Sequence, residues 1–376
     1  MKRLIRALRK RHFAYETLVE VRISRADLLH NLAVLGSIKP GVSVAPVLKS
    51  NAYGHGLIEV GKIFDGQSVP FLCVDSYFEA MILRNEGVRV PLLVIGYTPP
   101  KNMHTGLHDV AFGVFSLPEL RRLVKHATSR TAIHLEIDTG MRRHGIMPDE
   151  LAEAMDVIES NPRIHLEGMF THFADADTPG SEHARSQVRV WNSVVPQVRE
   201  LFPGVKHYHC GGTAAASYMD ELDMTTLRSG IGLYGFNTST LALDIRPALE
   251  LSSRITALRT LKAGESIGYN VTFTATHDMR IATVAVGYYE GVERALSNKG
   301  VFIVRDVPCP IVGKVSMNMT MIDVSSVPDV AIDESVTVIS KDPAAPNSLN
   351  AIAELTGVLP YELRVHIPPH LRRTIV

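Results

Sequence analysis

The sequence predicts an α/β fold: a (β/α)8 barrel followed by a mostly-β C-terminal domain. Between about residue 20 and residue 243, eight strand-like apolar runs alternate with helical patterns, which is typical of βαβ units and a parallel sheet. Eight such runs favour a closed barrel over an open sheet. After about Arg246, short β-rich runs are separated by Gly, Pro and Asp turns, which indicates a separate β domain.

The length of 376 residues also favours two domains. We predict a basic N-terminal extension over residues 1–17, the barrel over 18–243 and the β-rich domain over 244–376. The predicted barrel strands are Val42–Leu48, Phe71–Val74, Leu92–Ile95, Val110–Phe115, Ile133–Ile137, Leu166–Phe170, Lys206–His209 and Ile231–Tyr234. The predicted helices include Arg25–Ile38, Leu117–His126, Pro148–Glu159, Glu182–Leu201 and, in the C-terminal domain, Asn347–Thr356. Because proline cannot donate to a sheet, we expect a bulge at Pro46 near the end of the first strand.

The composition excludes several classes of function. Lys and Arg together number 39, as do Asp and Glu, so no overall charge favours nucleic acid or an anionic membrane as a partner. Cys73, Cys210 and Cys309 are scattered, which argues against a disulfide framework or a zinc site and fits a reducing compartment. We therefore expect no metal and a cytoplasmic location.

The N-terminus is basic from Met1 to His12, but no apolar stretch of signal-peptide length follows it. We expect neither a secretory signal nor a membrane span, since no run of about 18 apolar residues occurs in the sequence. Leu4, Ile5 and Leu8 would share one face of a helix, so a weak surface-binding helix is an alternative to a disordered extension.

The stretch Val42–Gly56 carries the first chemical signal. An apolar run ends at Lys49, and a Gly-rich turn, Ala-Tyr53-Gly-His-Gly56, follows it. Desolvation at the end of a buried strand activates a lysine for Schiff-base chemistry. A solvated lysine just past the strand end is the alternative interpretation.

Further polar groups follow other predicted strands, at the rim where barrel enzymes gather their reactive residues. They are Asp138 with Arg142 and Arg143, Thr171 with His172, and His209 with Gly211, Gly212 and Thr213; in addition, Arg228 with Gly230 and Ile231 leads into the predicted eighth strand. Each alone is ordinary. Together, a lysine, two candidate phosphate loops, a histidine and an arginine suit pyridoxal phosphate.

The segment Lys49-Ser-Asn-Ala-Tyr-Gly-His-Gly56 resembles the pyridoxal-phosphate lysine motif of alanine racemases. The resemblance extends from about Val19 to Arg373. Its other motifs are Asp138-Thr-Gly-Met, Thr171-His-Phe-Ala-Asp-Ala-Asp177, Arg228-x-Gly-Ile-x-Leu-Tyr-Gly235, Gly268-Tyr-Asn-Val-Thr-Phe-Thr-Ala275, Val286-Gly-Tyr-Tyr-Glu-Gly291, Leu296-Ser-Asn298 and Ile311-Val-Gly-Lys-Val-Ser-Met317.

The resemblance implies that Lys49 holds the cofactor and is the base on one face of the substrate Cα. Tyr269, delivered from the partner subunit of a homodimer, would be the base on the other face. Because a tyrosine is a poor base at neutral pH, its phenolate would need His172, which would contact Arg228. Arg228 would face the pyridine nitrogen and leave it unprotonated.

The resemblance also implies the remaining site residues. Tyr53, Thr213, Gly230 and Ile231 would bind the cofactor phosphate, and Arg143 would contact the phenolic oxygen of the cofactor and the substrate carboxylate. Met317 would contact the substrate through its backbone, and Tyr288 would complete the site from the second subunit.

Several positions depart from the family pattern. Glu136 stands where a lysine, often carbamylated, is usual, so its carboxylate could orient Arg143 without modification. Thr213 replaces a serine, and Ser316 and Asn318 replace a cysteine and an aspartate. Pro369 falls where a tyrosine usually narrows the substrate entrance, so amino acids larger than alanine become candidates.

The implied function is interconversion of L- and D-alanine, with D-alanine supplied for cell-wall peptidoglycan. The alternatives are a broad-specificity racemase acting on serine, lysine or arginine, and a barrel-type decarboxylase of basic amino acids. The motif around Tyr269 argues against the decarboxylase, and the C-terminal β domain argues against a barrel-only cofactor carrier.

Overall fold

The computed structural model describes residues 15–103 and 106–376, so the first fourteen residues of the predicted N-terminal extension lie outside the described residues. Contacts divide the chain into two compact units. Among the described residues, one contains residues 15–23 together with Leu249–Thr374, and the other contains Ser24–Ala248 with Ile375–Val376. Strand β1 (Glu20–Ile23) belongs to the first unit, where it pairs antiparallel with residues 249–252.

The unit Ser24–Ala248 is built on eight parallel strands. These strands are β2 (Ser43–Pro46), β3 (Leu72–Val74), β4 (Leu92–Val94), β5 (Val110–Val114), β6 (Thr131–Glu136), β7 (Ile164–His172), β8 (His207–Gly211) and β9 (Thr226–Ser229). They pair in the order β2-β9-β8-β7-β6-β5-β4-β3. A parallel bridge between Val47 and Cys73 joins the two ends. The predicted barrel, with a β-rich C-terminal part, is confirmed.

Helices connect these strands. They are α1 (Arg25–Gly36), α2 (Leu57–Phe64), α3 (Tyr77–Asn85), α4 (Leu117–His126), α5 (Leu151–Glu159) and α6 (Glu182–Leu201). Short 3-10 helices cover Pro100–Asn102, Pro148–Glu150, Thr213–Tyr218 and Ile231–Tyr234. Ser24, Ser76, Ser116 and Ser181 cap α1, α3, α4 and α6 by accepting backbone N–H groups, which satisfies donors that helix starts leave unpaired. No helix among the described residues is long and apolar enough to cross a membrane.

Two details of the predicted barrel are wrong. Ile231–Tyr234 is a 3-10 helix, and the eighth barrel strand is Thr226–Ser229. The run is apolar because its residues are buried, not because they form a strand: Leu233 and Tyr234 are fully buried in the helical turn. No bulge occurs at Pro46, where β2 and β9 stay in register. Pro46 is tolerated because it is the last residue of its strand.

The other unit is mostly β. Its further strands are β10 (Leu249–Leu261), β11 (Ser266–Ile267), β12 (Phe273–Thr274), β13 (Met279–Val284), β14 (Val301–Val304), β15 (Val307–Pro310), β16 (Thr320–Asp323), β17 (Ser335–Ile339) and β18 (Arg372–Ile375). Its helices are α7 (Leu349–Thr356) and α8 (Pro360–Val365), with 3-10 helices at Tyr269–Val271, Tyr288–Glu290 and Arg294–Leu296. Long strand β10 pairs with β1, β13 and β17 and organises this sheet.

Candidate active site

A cavity of about 420 Å³ opens at the carboxyl ends of the barrel strands. All eight residues that the sequence analysis assigned to the cofactor lie on its wall: Lys49, Tyr53, Arg143, His172, Thr213, Arg228, Gly230 and Ile231. Glu136, Asp75, His144, Phe170 and Gly212 line it as well. The fold therefore brings these groups together from positions up to 182 residues apart, and their individual roles remain predictions.

Lys49 and Tyr53 begin and end a left-handed turn that follows β2. Ser50, Asn51, Ala52 and Tyr53 all have φ between 52° and 57°, a conformation that costs energy in residues with a Cβ. The Ser50 N–H donates to Glu79 Oε1 (3.0 Å), and the Asn51 Oδ1 accepts from the N–H of the first residue of α2 (2.9 Å). These bonds hold a strained turn that places both an amine and a phenol on the cavity wall.

Arg228 is the central charge of the site. It lies on β9 and is 4% exposed, and burial lowers the pKa of its guanidinium. Its Nη1 donates to His209 Nδ1 at 2.7 Å, and its Nη2 donates to the Thr171 carbonyl at 2.9 Å. The guanidinium carbon also lies 4.8 Å from the centre of the Phe170 ring, at cation–π distance. The cation is thus fixed by groups on two strands, β7 and β8.

Gly211 on β8 is a site residue whose role the sequence did not reveal. A Cβ at this position would lie 2.0 Å from Arg228 Nη2 and 2.3 Å from His172 Nδ1. The position therefore has no room for a side chain, and the Arg228 guanidinium and the His172 ring both pack against the Cα of this glycine. The sequence predicts the pair Gly211-Gly212 as a candidate phosphate loop, and a glycine pair carries no signal that separates phosphate binding from close side-chain approach.

His172 is held neutral. Burial, reinforced by Arg228, Arg143 and Lys49, lowers the pKa of its imidazole to about 3. A neutral imidazole has one donor and one acceptor nitrogen. His172 can therefore accept a hydrogen bond from a phenol that approaches the cavity.

The candidate phosphate-binding side of the cavity combines β9 with the 3-10 helix that starts at Thr213. The Thr213 Oγ1 accepts from the Gly232 N–H at 2.9 Å. At Gly230, a Cβ would lie 2.4 Å from the Tyr53 hydroxyl, so this glycine lets the phenol pass close to the backbone. The result is a small concave wall formed by main chain and two hydroxyl groups.

Glu136 contributes a buried carboxyl group to the cavity wall. It is 6% exposed, and burial raises the pKa of its carboxyl group to about 7, while Arg228 and Arg143 act in the opposite direction. Its ionisation is thus shifted toward neutral pH, and the expected orienting of Arg143 would be pH-dependent.

The remaining predicted site residues lie in the other unit. Tyr269 is 68% exposed on a turn in which Asn270 and Val271 have φ of 62° and 52°. The Lys314 Nζ donates to the Asn270 Oδ1 at 2.9 Å and braces this turn. A left-handed valine is a strained residue, so the backbone that presents the tyrosine is strongly constrained.

Tyr288 and Met317 are also exposed and lie on one platform. The Tyr288 N–H donates to the Ser316 carbonyl (3.0 Å) and the Tyr289 N–H to the Met317 carbonyl (2.9 Å). Gly287 permits this packing, because a Cβ there would lie 2.2 Å from the Ser316 oxygen.

No group of three or more His, Cys, Asp or Glu side chains within residues 15–103 and 106–376 is arranged to hold a metal ion.

Comparisons with known proteins cover nearly the whole chain. A family model described as "Alanine racemase, N-terminal domain" matches residues 23–238, and one described as "Alanine racemase, C-terminal domain" matches residues 248–375. An alanine racemase from Sorangium cellulosum (strain So ce56) is 33% identical over 371 residues, which cover 93% of this chain and 97% of that protein.

Solved structures of racemases also match nearly the whole chain. An alanine racemase from Clostridium difficile 630 superposes with a TM-score of 0.87 at 27% identity, over 96% of this chain and 97% of that one. A histidine racemase from Leuconostoc mesenteroides subsp. sake NBRC 102480 superposes with a TM-score of 0.85 at 25% identity, over 96% and 99%.

Acid should destabilise the cofactor-free protein between pH 6.5 and pH 4.5. The unfolded chain protonates its histidines near pH 6.5, whereas the folded state lowers the pKa of His172 to about 3 and lowers the pKa values of His134 and His209 well below the ordinary value. Each such histidine should cost about 1.4 kcal/mol per pH unit as the pH falls. Glu136, with its raised pKa of about 7, offsets one of them.

Urea unfolding at pH 6.5 and 5.0 measures this slope. His172→Asn should reduce the slope by up to about 1.4 kcal/mol per pH unit. Gln197→Asn on the exposed face of α6 is the control that should leave it unchanged, because it removes no titratable group. A His172→Asn protein with the wild-type slope would contradict the assignment.

Gly211→Ala should destabilise the barrel by about 1–3 kcal/mol, because the new methyl group must displace the Arg228 guanidinium or the His172 ring. Gly204→Ala is the control, since a Cβ at Gly204 meets no atom within 4 Å. Equal urea midpoints for the two variants would show that the close approach over Gly211 does not exist.

Proposed function

This chain belongs to the alanine racemase family and is an amino-acid racemase; from that premise we propose that it interconverts L- and D-alanine with pyridoxal 5'-phosphate. The observation that carries the proposal is the convergence of Lys49, His172 and Arg228 on one cavity with a glycine-lined wall. In the cell, the product would be D-alanine for peptidoglycan.

The residues present fit the proposed cofactor. Because Gly230 has no Cβ, the Tyr53 hydroxyl lies directly against the backbone of the cavity wall, so a hydroxyl group and main-chain groups are available together for a compact anion such as a phosphate. Tyr53, Thr213, Gly230 and Ile231 would hold that phosphate, Lys49 the aldehyde carbon, and Arg228 the ring nitrogen. Arg143 would contact the phenolic oxygen. When bound, the cofactor supplies an electron sink that makes the substrate α proton removable.

Inversion of the substrate centre needs a base on one face and an acid on the other. We assign these proton transfers to the Nζ of Lys49 and to the phenolic oxygen of Tyr269. The exposure of Tyr269 and the constrained turn that carries it support delivery of its phenol into the cavity of a second copy. His172, which burial and the neighbouring arginines hold neutral, would accept a hydrogen bond from that phenol.

Arg228 would act by keeping its proton. A guanidinium does not deprotonate in proteins, and Thr171 and His209 fix this one in place. It would donate a hydrogen bond to the cofactor ring nitrogen without protonating it. The site would then favour return of the proton to the substrate over reactions that need a stronger electron sink.

A homodimer with a shared site follows from the same assignment. Exposed large apolar side chains occur on the unit that carries the second base: Tyr269, Val271, Tyr288, Tyr289, Met317 and Met319. Exposed apolar side chains clustered at a functional surface are typical of protein interfaces. We propose that residues 18–243 supply the cofactor barrel, and that residues 244–376 supply Tyr269, Tyr288 and Met317 to the partner's cavity.

A broader substrate range is the second candidate. Pro369 lies in an exposed turn where a bulky phenol is usual in the family, and a histidine racemase shares the fold. A pocket discriminates by only about 1–3 kcal/mol per methylene, so serine, lysine or arginine are substrates to test beside alanine.

The function is tested by hydrogen–deuterium exchange at Cα in D2O, with the cofactor-loaded protein and a panel of L- and D-amino acids. Exchange with inversion for alanine alone supports the narrow function, and comparable inversion of serine, lysine or arginine supports the broad one. A cofactor-loaded protein that exchanges no amino acid would overturn the racemase mechanism proposed here.

Tyr269→Phe should abolish inversion while exchange continues from the face that Lys49 serves. A loss of inversion of at least about 100-fold is expected for removal of one positioned acid–base group. Tyr361→Phe, which removes another exposed phenol, is the control. Inversion that proceeds at the wild-type rate in Tyr269→Phe would rule out the two-base assignment.

Glu136→Gln should raise the KM for alanine above pH 7 and have little effect below pH 6. The reason is that the wild-type carboxyl, with its pKa near 7, becomes charged across this interval and would then orient Arg143. The measurement is KM from pH 6 to 9 for the wild type, Glu136→Gln and Glu136→Ala. Glu136→Ala with unchanged substrate affinity throughout would exclude this role.

A further inference from the structure

A chain of hydrogen bonds continues from Arg228 into the interior of the barrel. The Arg228 Nη1 lies 2.7 Å from His209 Nδ1, and the His209 Nε2 lies 2.7 Å from His134 Nδ1. His209 and His134 are fully or almost fully buried on β8 and β6. The ring of His134 also lines a second cavity, of about 370 Å³, at the opposite end of the barrel.

The direction of every bond in this chain is determined by Arg228. A guanidinium can only donate, so His209 Nδ1 must accept. His209 is neutral, since burial and Arg228 lower its pKa well below the ordinary value, and its hydrogen is therefore on Nε2. That nitrogen donates to His134 Nδ1, so the hydrogen of neutral His134 must be on its own Nε2.

The backbone makes room for this arrangement. A Cβ at Gly168 on β7 would lie 2.5 Å from His134 Nδ1, so the imidazole lies directly against that glycine. The pairing of β6 with β7 also shifts register between Ile133 and His134. A bulge re-aims the side chain that follows it, and this one coincides with the second histidine of the chain.

We propose that His134 is a positioning residue: by accepting from His209 Nε2 it locks the tautomer that lets His209 Nδ1 hold Arg228 toward the cofactor site. No proton passes along the chain, because the guanidinium at its end does not release one. The proposal rests on the proposed function for its effect on catalysis, whereas the tautomer itself is a property of the barrel.

A matched pair of substitutions tests the lock. His134→Asn keeps an acceptor oxygen near the position of Nδ1. His134→Leu introduces a side chain of nearly the same shape as asparagine, but one that has no hydrogen-bond acceptor. The readouts on the cofactor-loaded protein are the ¹⁵N signals of labelled histidine, assigned by difference with His209→Gln, the visible absorbance of the bound cofactor, and kcat for alanine.

In both the wild type and His134→Asn, we expect the Nε2 of His209 to carry the hydrogen and its Nδ1 to carry none. We expect the kcat of His134→Asn to lie within about twofold of the wild-type value. In His134→Leu we expect the fixed tautomer to be lost, the absorbance to shift and kcat to fall on the order of tenfold, because a buried donor loses its acceptor. Gly168→Ala should have the same effects on the tautomer, the absorbance and kcat as His134→Leu, and it replaces that variant in the test if His134→Leu does not fold. Gly204→Ala is its control.

The proposal is overturned if His134→Leu keeps both the His209 tautomer and the wild-type kcat, or if His134→Asn loses as much as His134→Leu. A wild-type protein that neither binds pyridoxal phosphate nor inverts alanine would instead refute the proposed function. The tautomer of His209 in that protein would still decide this inference.

Discussion

The site depends on one constraint: a guanidinium buried in the mouth of a barrel must have its donors satisfied. Arg228 meets this requirement with the carbonyl of Thr171 and the ring of His209, so both neighbouring groups must be acceptors. His209 must therefore be neutral, because a protonated His209 would direct an Nδ1–H toward the N–H of Arg228. Nearby thiols respond to the same burial: it raises the pKa values of Cys73 and Cys210 to about 12, which keeps them protonated beside the cation and unreactive.

The second constraint is backbone strain, which the protein places beside its reactive groups. The left-handed turn from Ser50 to Tyr53 follows Lys49, and left-handed Asn270 and Val271 follow Tyr269. Such residues persist only where surrounding bonds over-determine them. Glu79 supports the first turn and Lys314 the second. Each of the two proposed bases is therefore presented by a short segment with few alternative conformations, which suits proton transfer over short distances.

The sequence predicted the parts that depend on periodicity and on strand ends. Alternating strands and helices indicated the barrel, and polar residues at strand ends, together with the resemblance to alanine racemases, indicated the eight groups on the cavity wall. It did not predict features that depend on close approach in three dimensions. Gly211 matters because Arg228 and His172 meet over it, and neither residue is its neighbour in sequence. The pKa of Glu136 depends on burial together with two arginines and two other acids. The predicted barrel range, 18–243, includes residues 20–23, yet β1 pairs with β10, more than 220 residues away.

The fold alone does not decide which amino acid a racemase of this architecture acts on. Superposition is nearly as good on a histidine racemase as on an alanine racemase. The departures at Ser316, Asn318 and Pro369 all lie in the unit that carries Tyr269. Asn318 is already engaged there, since its Nδ2 donates to the Glu290 Oε1 at 2.6 Å, while the Glu290 Oε2 accepts from the Gly287 N–H. An aspartate in place of Asn318 would set two carboxylates against each other. The amide therefore stabilises the platform of Tyr288 and Met317, which accounts for one of these three departures by the packing of its own unit.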